Sequence, residues 1–184
     1  NVFDKYLVDA LRVTCRPPLH IGEVYGNADE GEEALSGVRF KEDSQGSLHI
    51  WSMPEIDPDE EITDRYLTVV HIGGRIVAQW YGHIDMDLLA WKSAQIASFY
   101  DNALLVIESN TLETHDRNRQ VDGDQSQYIL CLIAGVYPNL YARKQSEDQI
   151  REGAPTKWGF HTNVYTKPMI ISNLVRVVRD GAYI

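Results

Sequence analysis

Cysteine and long apolar runs are both scarce in this chain. It contains two cysteines, Cys15 and Cys131, with no CxxC pair. This usage predicts a reduced, cytoplasmic protein rather than a disulfide framework. Apolar residues never run for the roughly 18 positions that a membrane-spanning helix needs, and no charged-then-apolar signal segment opens the sequence. We therefore expect a cytoplasmic protein with no membrane partner.

Several catalytic motifs are also missing. No GxxxxGK[ST] occurs, which excludes a P-loop ATPase in this sequence. Ser109 lacks the GxSxG context of a serine hydrolase, and Gly73-Gly74 is too short for a dinucleotide fingerprint. The six histidines show neither HxxxH nor HxH spacing, so no structural zinc site is predicted.

Positive charge is scarce in the first third of the chain. The net charge is -10, and residues 1–64 carry 15 acids against 5 bases, whereas residues 65–184 carry 12 of each. The later bases gather towards the end of the chain: Arg143, Lys144, Arg151, Lys157, Lys167, Arg176 and Arg179. This distribution permits a nucleic-acid partner without indicating one, since such clusters are also common on solvated surfaces.

Residues 103–108 (ALLVIE) are five apolar residues followed by an acid. A short apolar run with β-branched residues favours a strand that is buried on both faces. Such a strand would place Glu108 at the edge of a sheet, where α/β folds have their ligand-binding and active sites. The alternative is that Glu108 simply caps or solvates the end of the strand.

The remaining pattern is mixed α/β. Helices are predicted over 2–13, 86–100 and 125–134 and after Thr166, with Asp85, Asp124 and Thr166 as N-caps and Gly135 as the C′ residue of the third. Predicted inner-side residues are Leu88, Leu89, Ile96 and Phe99 in the second of these helices, and Ile170, Leu174 and Val178 in the last. Strands are predicted over 48–51, 65–72, 76–81, 103–108, 139–141 and 158–161. Residues 22–47, 55–64, 109–124 and 143–156 are predicted to be loop or irregular.

A domain boundary is predicted between about residues 46 and 64. It separates an irregular acidic N-terminal arm and linker, 1–64, from a compact domain, 65–184.

With the other chemistries excluded, a carboxylate-centred site remains. Metal-dependent phosphodiester cleavage uses two or three clustered acids that hold divalent ions about 4 Å apart. His71, near the end of the predicted strand 65–72, would lie beside Glu108 if those two strands pair. The other acids near in sequence are Asp85, Glu113, Asp116, Asp122 and Asp124. Each has a simpler role open to it, as an N-cap for Asp85 and Asp124 and as a loop acid for the others.

Several longer segments carry a family resemblance. They are RYLTVVHIGGR (65–75), the stretch from IVAQWY to VIESNT (76–111), YPNLYAR (137–143), and KWGFHT through KPMIISNLVRVVRDG (157–181). In this order they resemble the C-terminal nuclease domain of the large terminase subunit of tailed phages. The preceding GSLHIWSMPE (46–55) resembles the lead-in from the ATPase region of that subunit.

The resemblance implies a ribonuclease H-like fold, with a mixed central sheet flanked by helices. It implies an endonuclease that cuts concatemeric viral double-stranded DNA during genome packaging in a bacterial host cell. Its partners would be the terminase ATPase region, the small terminase subunit and the portal. Its cofactor would be Mg²⁺ or Mn²⁺, held by three acids: on the first strand, at the end of the central strand, and on the last helix.

The middle acid of this pattern corresponds to Glu108, but the other two positions depart from it. The first-strand position is His71 and the last-helix position is Ser172. Imidazole cannot supply the charge that holds Mg²⁺, so the chain would cut poorly, use a rearranged acid such as Asp85 or Asp122, or be a catalytically impaired DNA-binding or assembly module. The family also has a further strand and an Asp-bearing loop where Arg75 here runs directly into Ile76.

The resemblance places DNA-backbone contacts on the later bases. Arg143, Lys157, Lys167 and Arg176 are the predicted DNA-binding residues, and such contacts would make binding depend on salt.

Overall fold

The computed structural model describes residues 5–54, 76–111 and 125–180. Several predictions fall on residues outside these ranges: the strand over 65–72 with His71, the acidic loop over 55–64, and the acids Glu113, Asp116, Asp122 and Asp124. The helices are α1 (Lys5–Thr14), α2 (Met86–Phe99), α3 (Gln125–Val136), α4 (Glu147–Arg151) and α5 (Thr166–Asp180). The strands are β1 (His20–Tyr25), β2 (Arg39–Glu42), β3 (Leu48–Ile50) and β4 (Ala78–Trp80).

The four strands form one sheet in the order β2-β1-β3-β4. β3 lies antiparallel between β1 and β4, with Ile50 opposite His20 on one side and Ala78 on the other. Leu48 and Ile50 are fully buried, as expected for alternate residues that face a core. The presence of both helices and a sheet confirms the prediction of a mixed α/β structure. The short strands predicted at 48–51 and 76–81 are confirmed as β3 and β4.

The prediction that residues 22–47 are irregular is wrong. This part of the chain contains most of β1, a 3₁₀ helix (Glu32–Leu35) and β2. Its Gly- and Glu-rich composition is typical of a linker, but alternate residues of β1, Gly22 and Val24, are buried. A two-residue alternation can form a half-buried strand even where few residues are apolar.

Residues 103–108 do not form a strand that is buried on both faces. They make two isolated parallel bridges, Leu105 with Leu140 and Glu108 with Phe160. Leu105 is 8% exposed, whereas Leu104 and Val106 are 46% and 51% exposed. The core therefore covers one face of this segment, a difference that a continuous apolar run cannot reveal because it is apolar on both faces.

The main core lies between α2 and α3. The buried residues of α2 are Ala90, Trp91, Ala94, Gln95 and Ala97, and α3 contributes Ile129, Leu130 and Ile133. The predicted inner residues Leu88, Leu89, Ile96 and Phe99 are only partly buried. The alanines occupy the inner face because small side chains let two helices approach closely, and Trp91 fills the remaining volume.

The helices agree with prediction at Asp85 and differ from it in two other places. Asp85 is the N-cap residue of α2 as predicted, although its carboxylate makes no capping hydrogen bond. α3 continues through Gly135 to Val136. The predicted loop 143–156 contains α4, which begins with a capping box between Ser146 and Gln149.

The N-terminus of α5 is capped by Asn163. Its side-chain oxygen accepts hydrogen bonds from the Tyr165 and Thr166 amides, both at 2.9 Å, and the Thr166 hydroxyl accepts from the Asn163 amide at 2.9 Å. Thr166, the predicted cap, therefore completes a reciprocal pair. The predicted inner ridge of α5 is also wrong in part, because Ile170 and Leu174 are exposed and no residue of this helix is fully buried.

The chain divides into two compact units. The first comprises Asn1–Glu23, Lys41–Gly82 and Asn163–Ile184, and the second comprises Val24–Phe40 and His83–Thr162. In the first unit α1 contacts α5 and β3 pairs with β4; the second holds the α2–α3 core. The boundary predicted between residues 46 and 64 stays a prediction, because residues 55–75 lie outside the described ranges.

Within the described ranges, no helix is both long and apolar enough to cross a bilayer. Cys15 and Cys131 are exposed and not joined in a disulfide.

Candidate functional site

Three segments of the second unit meet around Glu108: residues 105–110, 139–143 and 157–162. We call this arrangement the Glu108 junction. The first segment pairs with the second, where the Leu105 amide donates to the Asn139 carbonyl at 3.0 Å and the Tyr141 amide donates to the Leu105 carbonyl at 2.9 Å. From Ile107 onwards, the first segment pairs with the third instead, and the Phe160 amide donates to the Ile107 carbonyl at 2.7 Å. This change of partner explains why only isolated bridges form.

Arg143 and Ser109 stabilise the junction through side-chain hydrogen bonds. Ser109 is fully buried, and its hydroxyl lies 3.2 Å from the Phe160 carbonyl and 3.0 Å from Arg143 Nη2. Arg143 also donates from Nε to the Gly159 carbonyl at 3.2 Å and from Nη2 to the Trp158 carbonyl at 3.4 Å. One guanidinium group thus ties all three segments together through fixed, directional hydrogen bonds.

Asn110 extends the pairing by one more residue. Its side-chain nitrogen donates to the Thr162 carbonyl at 2.6 Å, and its side-chain oxygen accepts from the Thr162 amide at 2.8 Å. The amide side chain therefore satisfies both backbone groups of Thr162, as a neighbouring strand would. This contact fixes the position of the 157–162 segment beside Glu108.

Gly159 is required by the close packing of the junction. Its φ is +75°, and a Cβ atom there would lie 2.8 Å from the Ile107 carbonyl oxygen and 2.9 Å from Leu130 Cδ1. A side chain would meet both a disfavoured backbone conformation and a steric clash. Gly159 thus lets the third segment lie directly against the first.

Glu108 is exposed on this hydrogen-bonded support. Its backbone forms the parallel bridge with Phe160, and it is followed by the buried Ser109. The side chain itself is exposed. The anchored backbone fixes the place from which Glu108 can offer its carboxylate to a cation or to a hydrogen-bond donor.

The other predicted metal or catalytic residues lie in different parts of the chain. Asp85 is exposed at the start of α2. Ser172 is exposed on α5, which belongs to the first unit, and His71 lies outside the described residues. Among residues 5–54, 76–111 and 125–180, no group of three or more His, Cys, Asp or Glu side chains could hold a metal ion.

The predicted DNA-binding residues fall into two kinds. Lys157, Lys167 and Arg176 are exposed. Arg143 is partly buried, with its guanidinium engaged in the three internal hydrogen bonds described above. The structure therefore gives Arg143 a positioning role, and DNA binding by all four residues stays a prediction.

Sequence reasoning missed the polar residues that build the junction. The sequence motifs bear on Ser109 only as a nucleophile, and no motif marks Asn110, Gly159 or Thr162. One signal was present: small polar residues directly after an apolar run are typical of chain segments whose side chains satisfy nearby backbone groups.

Comparison with known proteins adds no relative. Neither a protein-family model, nor a curated protein, nor a solved structure matches this chain.

Proposed function

We propose that this chain is a terminase-type, ribonuclease H-like endonuclease domain that cuts concatemeric viral double-stranded DNA during genome packaging. The observation that supports this most directly is the Glu108 junction. Parts of three segments that carry the terminase resemblance, residues 105–110, 139–143 and 157–162, meet there around an exposed glutamate. Under the same proposal its partners are the terminase ATPase region, the small terminase subunit and the portal, inside a bacterial host cell.

Glu108 has the chemistry of a ligand for Mg²⁺ or Mn²⁺, since both prefer carboxylate oxygen. One carboxylate does not make a complete site, and the described residues supply no group of three candidate ligands. His71 and Asp85 are the other proposed ligands, and Ser172 is the third proposed catalytic position. Neither imidazole nor a hydroxyl replaces the negative charge of the family acids, so the described residues do not fit a complete divalent-metal centre.

A second candidate function is favoured by this incomplete donor set. In it, the chain is a catalytically impaired ribonuclease H-like module that binds DNA or assembles into the packaging motor. Glu108 then remains as the one acid of three that still occupies its family position. The two candidates differ in one measurable property, which is cleavage of DNA by the unmodified chain.

The first experiment measures nicking and linearisation of supercoiled plasmid in the presence of Mn²⁺. An active endonuclease converts the plasmid, and Glu108→Ala abolishes the conversion while the protein stays folded. Glu147→Ala, which removes an exposed acid from α4, is the matched control and leaves cleavage unchanged. Cleavage that persists in Glu108→Ala would show that the site is elsewhere.

A second experiment separates an impaired nuclease from an unrelated protein. If the unmodified chain does not cut, the double variant His71→Asp/Ser172→Asp restores the two family acids, and we expect Mn²⁺-dependent cleavage to appear. Adding Glu108→Ala to the double variant then removes it again. A double variant that folds but stays inactive would contradict the proposed terminase-type site.

A further inference from the structure

Two buried polar atoms of α2 make no hydrogen bond with residues 5–54, 76–111 or 125–180. They are Nε1 of Trp91, which is a donor, and Oε1 of Gln95, which is an acceptor. Trp91 is only 2% exposed and Gln95 only 1%. Buried donors and acceptors are nearly always hydrogen-bonded, either to protein or to ordered water, because an unpaired group bears the full cost of losing its hydration. Both atoms therefore require a partner that these parts of the chain do not supply.

Trp91 and Gln95 lie one helical turn apart. Side chains four positions apart project from the same face of a helix, with their Cβ atoms about 5–6 Å from each other. Both side chains are buried in the second unit, and Trp91 belongs to the core between α2 and α3. This spacing allows one small molecule to reach the indole of Trp91 and the side-chain amide of Gln95 together.

The orientation of the Gln95 amide follows from its other contact. Its Nε2 atom donates to the Ala28 carbonyl at 3.1 Å. A reversed amide would place two oxygen atoms against each other, so Nε2 faces Ala28 and Oε1 faces away from it. Gln95 therefore offers an acceptor on the side that is not bound to Ala28, while the Trp91 indole can act only as a donor.

We propose that Trp91 and Gln95 together bind one buried water molecule. The water accepts a hydrogen bond from Nε1 of Trp91 and donates one to Oε1 of Gln95. Water fits this pair because it is both a donor and an acceptor, and because a buried water needs at least two polar partners. A larger polar ligand is disfavoured, since both residues are almost fully buried and Trp91 lies in a close-packed core.

The bound water contributes to the contact between α2 and residues 24–28. Two side chains of α2 bind carbonyl groups of that segment: Gln95 binds Ala28, and Lys92 Nζ donates to Val24 at 2.7 Å. With water on Oε1 and Ala28 on Nε2, the Gln95 amide has a partner on each side and keeps one orientation. The water thereby stabilises the hydrogen bond that positions Ala28 against α2.

The test measures magnetisation transfer from water to the tryptophan indole protons of the ¹⁵N-labelled full chain. Substituting each of the four tryptophans in turn by phenylalanine assigns the indole signals. We expect the Trp91 indole proton to show water cross-peaks of opposite sign in NOESY and ROESY spectra, as a long-lived bound water gives; direct proton exchange with solvent gives the same sign in both. Trp51 is the matched control, because its indole donates to the Arg16 carbonyl at 2.6 Å and should show no long-lived water. A Trp91 indole without such cross-peaks in the folded protein would overturn the proposal.

A pair of variants tests whether Gln95 is the second partner of the water. Gln95→Met removes the acceptor at similar side-chain size, and we expect the water cross-peak of Trp91 to disappear. Lys92→Met removes the neighbouring hydrogen bond from α2 to the same segment but keeps Gln95, so the cross-peak should remain. Circular dichroism confirms that both variants are folded. A cross-peak that survives Gln95→Met, or that both variants abolish, would refute the bridge to Gln95.

A crystal structure that resolves ordered water provides a measurement without any variant. We expect one water oxygen within about 2.7–3.2 Å of both Trp91 Nε1 and Gln95 Oε1. A protein group hydrogen-bonded to either atom in its place would overturn the proposal.

Discussion

At the level of single residues, Gly159 tests whether the Glu108 junction is as closely packed as the distances indicate. We expect Gly159→Ala to lower the free energy of unfolding by about 2–4 kcal/mol, because strain from the positive φ adds to overpacking against Ile107 and Leu130. Gly153 is a matched control: its φ is +71°, but a Cβ atom there meets nothing within 4 Å.

Gly153→Ala should therefore cost only the backbone strain, about 1–2 kcal/mol. Urea unfolding followed by circular dichroism measures both variants. Equal losses at the two glycines would mean that the close contacts of Gly159 do not matter.

Tyr137 gives the clearest expected pH dependence. Its hydroxyl donates to the Ala103 carbonyl within the core, and burial, with a smaller effect of the nearby Asp101 carboxylate, raises the pKa of Tyr137 well above its usual range. The unfolded chain therefore loses the tyrosine proton before the folded chain does. The contribution of Tyr137 to stability is fully present below about pH 10 and declines as the pH rises beyond that value.

The variant Tyr137→Phe should be less stable by about 1 kcal/mol at neutral pH, since it leaves the Ala103 carbonyl without this donor. The difference from the unmodified protein should shrink as the pH rises above about 10, because the variant has no proton to lose at this position. Urea unfolding at neutral and alkaline pH provides the measurement. A difference that stays constant with pH would exclude Tyr137 as the titrating group.

At the level of elements, Arg143 connects three chain segments that share no regular sheet. Arg143→Met should lower the free energy of unfolding by about 2–3 kcal/mol, because it leaves the Ser109 hydroxyl and two carbonyl groups without their donor. Lys144→Met, at an exposed neighbouring position, should change stability by no more than about 0.5 kcal/mol. If Arg143→Met weakened only DNA binding and left stability unchanged, the guanidinium would contact DNA rather than support the junction.

Helices and strands are predicted most accurately where the sequence of the segment itself determines them. The strand at 48–51 and the helix after Asp85 could be predicted from alternation and capping. The inner face of α2 could not, because alanines give a weaker hydrophobic signal than the neighbouring leucines, although their small size is what the packing against α3 requires.

The candidate site was predictable in part for a similar reason. An acid at the end of an apolar run marks Glu108, and the structure shows this residue exposed beside hydrogen-bonded chain segments. The partners of that segment, residues 139–143 and 157–162, lie more than 30 positions away in sequence. Long-range pairing of this kind leaves no periodic pattern, so the roles of Arg143 and Gly159 became visible only in three dimensions.

At the level of the whole molecule, charge distribution sets how the proposed binding to DNA should depend on salt concentration. The net charge of -10 opposes binding to a polyanion, and the internal role of Arg143 leaves Lys157, Lys167 and Arg176 as the exposed members of the predicted set. With one phosphate contact for each, the logarithm of the binding constant should fall with the logarithm of salt concentration with a slope of about -3.

Lys157→Met should reduce the size of that slope by about one unit and weaken binding equally for DNA duplexes of different sequence, since a phosphate contact carries no base information. Fluorescence anisotropy of labelled duplexes at several salt concentrations measures both quantities. Arg12→Met, an exposed base in the acidic first third of the chain, should leave the slope unchanged. A slope that both variants alter equally would indicate that DNA responds to the net charge of the molecule rather than to a defined contact at Lys157.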